Sequence, residues 1–284
     1  MTKPDGTCIL IASEQSKNSD RRSFLKRASL AGAASIVGFD AFLGLTSAEA
    51  KSARASDGDD GVTKGDFDIL LAAQIAEALA VTTYFTIIET SPFFNGLAND
   101  DQGYLVNAMN EEMSHFLLLK SVTQTHTPFT SFFYPKNMFK DSQTTLNVLV
   151  ALEDAFIAAY LVGVRNFSSA DLRVTAARIM GIESDHRTLA RVLGPDIAKA
   201  NGGPIEKITG LQGIAESVDP PNNNSYERTQ CWTDISQAVT ALTPFIDITA
   251  AKTAGFDVSK SFAFDSFQPK VPNALGDFIS FKGC

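Results

Sequence analysis

Basic charge is short in this chain: 24 Lys and Arg against 32 Asp and Glu leave a net charge of -8. Nucleic-acid binding wants a basic footprint, so that class of function is excluded. Long apolar runs are missing beyond residue 50. No stretch there reaches the ~18 uninterrupted apolar residues of a membrane-spanning helix. Cysteine is limited to Cys8, Cys231 and Cys284. With 284 residues, 44% of them hydrophobic and 20% charged, the chain has an ordinary globular composition. A core of that size needs neither disulfide nor metal merely to fold. Histidine is as rare as cysteine, with three in all.

Two of those three histidines stand three residues after a glutamate, in Glu112-Met113-Ser114-His115 and in Glu183-Ser184-Asp185-His186. Only eleven glutamates are available to produce that spacing twice. Residues three apart share one face of a helix, so each pair can turn a carboxylate and an imidazole to the same side. Either pair alone would equally suit a zinc site or an ion pair in a core. The surrounding pattern has to decide.

The pattern predicts four long helices from residue 66 onward. Asp66 is suited to cap a helix whose apolar residues Ile69, Leu70, Ala73, Ala76, Ala80, Val81, Tyr84 and Ile87 keep a helical period to about Thr90. A second helix is expected from Asp100 or Asp101 to about Val122, and a third from Asp141 or Ser142 to about Arg165. A fourth is expected from Ala170 to about Leu193, stopped by Gly194-Pro195. Residues 123–140, with Pro128 and Pro135, read as one long loop. Helices of ~24 residues are ~36 Å long, and an extended loop of ~18 residues reaches ~60 Å, enough to return along them. The other two connections are short and make antiparallel neighbours. The result is an all-α four-helix bundle with a long crossover between helices two and three.

Each helix carries one glutamate inside its apolar stripe. Glu77 lies among Ala73, Ala80, Val81 and Tyr84, and Glu153 among Leu149, Val150, Phe156, Ile157 and Tyr160. Glu112 and Glu183 bring His115 and His186 with them. A carboxylate facing a core costs several kcal/mol unless something pairs with it. Mid-helix positions of an antiparallel bundle meet in one layer. One Glu from each of two helices and Glu-x-x-His from the other two make six ligands for two metal ions. The halves echo each other: Tyr84 and Tyr160 each lie seven residues after a glutamate, and Met109 and Met180 each lie three before one.

On these residues, positions 66–194 resemble the ferritin-like di-iron or di-manganese carboxylate superfamily. The resemblance implies two divalent ions, Fe or Mn, held by Glu77, Glu112, His115, Glu153, Glu183 and His186. Tyr84 and Tyr160 are candidate redox or hydrogen-bonding neighbours, although core packing is the commoner fate of such residues. Glu111 or Asp185 can orient a ligating imidazole, although exposed helix charges are commoner. Arg187 is expected to project from the bundle's flank, and His126 to be a surface residue and not a ligand.

Residues 1–50 resemble a twin-arginine export signal. Arg21-Arg22 precedes a small-residue apolar run, and Ala48-Glu49-Ala50 fits a cleavage site. Asp20 and Asp40 are mild departures from that pattern. The resemblance implies export by the twin-arginine machinery, a periplasmic or secreted protein starting near Lys51, and no membrane anchor after processing. Residues 51–65 read as a linker. Loss of Cys8 with the signal leaves Cys231 and Cys284 as a candidate disulfide, with two free thiols as the alternative.

Residues 195–284 form a C-terminal extension: a Gly, Pro and Asn-rich loop with a short helical possibility near Leu211–Ser217, then a fifth helix from Cys231 to about Ala251 that Pro244 kinks or splits. A Phe-rich tail follows, which wraps the bundle or makes a subunit contact in a homo-oligomer. With the export signal, the chain resembles exported ferritin-like proteins that include desiccation-related proteins. The expected activity is an oxidoreductase of catalase, peroxidase or ferroxidase type, with peroxide or oxygen as substrate, in stress protection. A non-catalytic structural or metal-binding stress protein is the alternative. Metal storage would need a closed shell, which the extension disfavours.

Overall fold

The computed structural model describes residues 62–127, 129–201 and 232–266. The twin-arginine segment, Cys8, Cys231, Cys284 and the Leu211–Ser217 segment lie outside the described residues. Four long helices carry the fold: α1 Lys64–Thr90, α2 Asn99–Thr123, α3 Ser142–Asn166 and α4 Ala170–Asn201. α1 packs chiefly on α2 and α3 on α4, and the two hairpins meet through α1 and α3. The all-α bundle expected from periodicity is what forms.

Capping fixes where each helix begins. α1 starts two residues before Asp66, because Thr63 is its cap and Asp66 closes a reciprocal capping box with it. Asp66 reaches further: its carboxylate also accepts from the Ser168 backbone N–H at 2.8 Å and from the Ser168 hydroxyl. It therefore ties the start of α1 to the α3–α4 connection. Asp141 caps α3, and Ser169 accepts from the Leu172 N–H in the first turn of α4. α4 does not stop at Gly194-Pro195 but continues to Asn201. Pro195 lies inside the helix without ending it, since a proline's missing donor and ring clash can kink a helix instead of breaking it.

α1 is apolar almost all round and buried from Asp66 through Ile87 apart from Asp68 and Phe85. α2, α3 and a shorter helix, α5 Ile235–Ile246, all lie against it. By length and hydropathy alone α1 and most of α3 could cross a membrane, but 89% and 83% of their most apolar stretches are buried within the bundle. They are core helices. Pro244 lies inside α5 without splitting it. The break comes at Asp247, whose side chain caps the next helix, α6 Ile248–Thr253.

The crossover is more than a loop. Residues Ser131–Pro135 form a strand, β1, which pairs antiparallel with β2 Phe256–Ala263 in register Phe132↔Phe262 and Tyr134↔Asp257. Gly255, at φ +79°, supplies the left-handed turn from α6 into β2. Tyr134 anchors the ribbon: its ring packs on Phe139, Phe245 and Phe262, and its hydroxyl lies 3.1 Å from Thr83 Oγ1 on α1. Phe264 follows β2, is fully buried, and stacks edge-on against Phe116 of α2 at 4.8 Å. The described part of the tail thus packs on the bundle, with Phe264 beside the residue that follows His115.

Candidate metal centre

The six Glu and His side chains singled out by spacing lie together in the bundle's middle layer, each 3% exposed or less. α1 supplies Glu77, α2 Glu112 and His115, α3 Glu153, and α4 Glu183 and His186. They form two overlapping groups. Glu77, Glu112, His115 and Glu183 offer ligand atoms all within 4.8 Å of one another, and so do Glu112, Glu153, Glu183 and His186. Glu112 and Glu183 belong to both. Each group therefore has one imidazole, one carboxylate of its own and two shared carboxylates.

The donor atoms fit metal ions. Glu77 Oε2, Glu112 Oε2, Glu153 Oε2, both carboxylate oxygens of Glu183 and His115 Nδ1 are buried without a hydrogen-bond partner. Buried polar atoms are nearly always paired, so six orphans in one layer ask for a cation. His115 Nδ1 lies 3.6, 3.5 and 3.4 Å from oxygens of Glu77, Glu112 and Glu183. His186 Nδ1 lies 2.8 Å from Glu112 Oε1 and 3.6 Å from Glu183 Oε2. Oxygen and imidazole donors with no thiolate suit Fe, Mn or Zn rather than a soft ion.

Protonation follows from the crowding. Burial, then the charges of Glu112 and Glu183, pushes the carboxyls of Glu77 and Glu153 well above the ordinary range. Burial alone would push Glu112 up too, but the His186 charge, the nearby His115 imidazole and the His186 hydrogen bond hold it well below. Burial would also lower the histidines. The Glu77 charge and the close approach of three glutamate carboxylates raise His115 instead, and Glu112 with Glu111 raises His186. Without a cation the cluster thus keeps protons, because several carboxylates this close cannot all stay ionised.

The tyrosines are hydrogen-bonding partners of the cluster rather than simple core filling. The Tyr84 hydroxyl, on α1, donates to Glu153 Oε1 on α3 at 2.6 Å. The Tyr160 hydroxyl, on α3, donates to Glu77 Oε1 on α1. Each steadies the other helix's carboxylate. Burial, then the neighbouring carboxylate charges, raises both phenols far above their ordinary value, so they stay neutral donors. The Tyr84 ring also meets the His186 ring edge-on at 5.8 Å.

Arg187 does not project from the flank. It is 5% exposed, and its Nη1 donates to Asp154 Oδ1 at 2.9 Å. Asp154 follows Glu153 on α3 and Arg187 follows His186 on α4, so the same turn of each helix carries both past the ligands toward the α3–α4 seam. Sequence reasoning overlooked Asp154. The shared one-residue offset from a ligand was the signal that could have found it. Glu111, partly exposed, places Oε2 2.8 Å from His186 Nε2. Asp185 is exposed. His126 lies at the surface, 3.3 Å from Asp265 and apart from the cluster.

Comparison with known proteins agrees with this geometry. Residues 65–194 match the family model of a ferritin-like domain. No curated protein and no solved structure matches the chain.

Proposed function

We propose that the ferritin-like domain at residues 65–194 holds two Fe or Mn ions and that the protein is an exported oxidoreductase acting on peroxide or oxygen in stress protection. The observation that carries this reading is the pair of overlapping ligand groups sharing Glu112 and Glu183. Glu77 and His115 would complete one position, Glu153 and His186 the other. Four carboxylates balance two divalent charges, with both imidazoles neutral. Bound Fe or Mn would supply the change of oxidation state that peroxide or oxygen chemistry needs.

The chain's own residues do the rest. Tyr84 and Tyr160 fix the orientation of Glu153 and Glu77, leaving the second oxygen of each carboxylate buried and without a hydrogen-bond partner. Phe116, Leu152, Phe156 and Ile179, each within four residues of a ligand along its helix, are buried, and the six ligands are themselves 3% exposed or less. The imidazoles and the Glu77 and Glu153 carboxyls hold protons that metal loading displaces.

Export fits the same reading. Site affinity by itself favours Cu or Zn over Fe and Mn. The twin-arginine route, which the first fifty residues resemble, carries proteins already folded, so metal choice could be made before export. The test is an oxygen-electrode assay of metal-loaded protein with peroxide and, separately, with ferrous iron. Oxygen evolution or peroxide loss points to catalase or peroxidase chemistry, and oxygen uptake with ferrous iron to ferroxidase chemistry. Protein holding two ions yet inert in both assays sinks the enzymatic reading and leaves metal as a structural element.

A further inference from the structure

The two halves of the centre match in their ligands and differ in what stands behind them. On the Glu153–His186 side, the His186 ring is held at both nitrogens. Nδ1 faces the cluster, and Nε2 lies 2.8 Å from Glu111 Oε2. Just behind these ligands lies the buried Asp154–Arg187 pair. On the other side the corresponding positions are apolar. Ile182 precedes Glu183 where Glu111 precedes Glu112, Ala78 follows Glu77 where Asp154 follows Glu153, and Phe116 follows His115 where Arg187 follows His186. Among the described residues, His115 meets carboxylates through Nδ1 alone.

We propose that Glu111 is a positioning residue for His186 and makes the two metal positions unequal, so that a divalent cation fills the Glu153–His186 position before the Glu77–His115 position. This rests on the di-metal reading above. A carboxylate accepting the Nε2 proton fixes the tautomer that leaves the Nδ1 lone pair for a cation, locks the ring's orientation, and makes the imidazole a stronger donor. Loss of such a partner costs about 10–100-fold in metal affinity. Asp154 and Arg187 compensate each other's charge, so Glu111 supplies the uncompensated difference between the halves. It is accessible to change without disturbing the core, since a third of its side chain is exposed.

The test is calorimetric titration of the chelated full-length protein with Mn(II), supported by Co(II) absorption titration to follow each position. Wild type should bind two ions in distinguishable steps. Glu111→Gln should weaken the tighter step about 10–100-fold and leave the weaker one unchanged. Glu153→Ala should remove the tighter step and Glu77→Ala the weaker. Ile182→Glu, which offers His115 the missing partner, should strengthen the weaker step. Two ions bound with one indistinguishable affinity, or Glu111→Gln weakening both steps or neither, would overturn the proposal while leaving the di-metal reading intact. Wild type binding no ion at all would overturn both. Melting temperatures of the chelated variants guard against a general structural effect, because Glu111→Gln should move the affinity of one step without moving the metal-free melting point.

Discussion

Metal loading should expel protons, and the structure says how many. Four groups in the cluster sit above their ordinary values in the absence of a cation: the Glu77 and Glu153 carboxyls and the His115 and His186 imidazoles. All four must be deprotonated to act as ligands. Binding of two divalent ions near pH 6 should therefore release up to about four protons. Each proton displaced makes the binding free energy about 1.4 kcal/mol more favourable per pH unit. Two ions together should gain up to about 5.5 kcal/mol per pH unit while the four groups remain protonated. Isothermal titration in buffers of differing ionisation enthalpy counts the protons directly. Release of fewer than about one proton per ion, or affinity that stays flat between about pH 5.5 and 7.5, would refute this protonation scheme.

The same shifts set the stability of the chelated protein. For groups raised in the folded state, the stabilisation is complete below the unfolded value, near 4.5 for Glu77 and Glu153 and 6.5 for the histidines, and is lost as pH rises through the folded value. Glu112, held low, acts oppositely: its contribution is present above 4.5 and is lost as pH falls through its depressed value. The chelated protein should therefore melt at progressively lower temperature as pH rises above about 4.5, more steeply above about 6.5, and added Mn(II) should restore the loss.

Three substitutions probe the frame around the centre. Tyr84→Phe and Tyr160→Phe each remove a donor to a buried carboxyl, and each should cost about 1–3 kcal/mol by chemical denaturation. Arg187→Met should cost about 3–5 kcal/mol by leaving Asp154 buried without its guanidinium, whereas Arg187→Met combined with Asp154→Leu should recover most of that loss. Gly163 lies where α3 meets the α3–α4 connection, and an added Cβ would stand 2.7 Å from the Phe167 ring. Gly163→Ala should therefore cost about 1–3 kcal/mol and lower the melting temperature.

The helices were legible because long 3.6-residue periods and capping residues are local signals. The centre was legible because buried glutamates are costly enough to stand out against apolar stripes. What escaped was set by partners distant in sequence. β1 carries the alternating burial of a strand, with Phe132 and Tyr134 inward, but Pro135 at its end and Pro128 ahead of it in the sequence masked that pattern, and its pairing partner lies more than a hundred residues later. The seven-residue offset of Tyr84 and Tyr160 from Glu77 and Glu153 was visible, yet only the packing of α1 on α3 shows that the hydrogen bonds cross between helices. Arg187 was misplaced because a charge beside a ligand was weighed alone, without Asp154 one position along α3.

The central claim is a two-ion centre built on shared Glu112 and Glu183. Elemental analysis of the purified protein after loading with Fe(II) or Mn(II) and removal of loose metal tests it most directly. About two ions per chain are predicted for wild type, falling below one in a Glu112→Ala, Glu183→Ala double variant that still shows helical circular dichroism. Wild type retaining one ion or none, or the double variant retaining two, would contradict it.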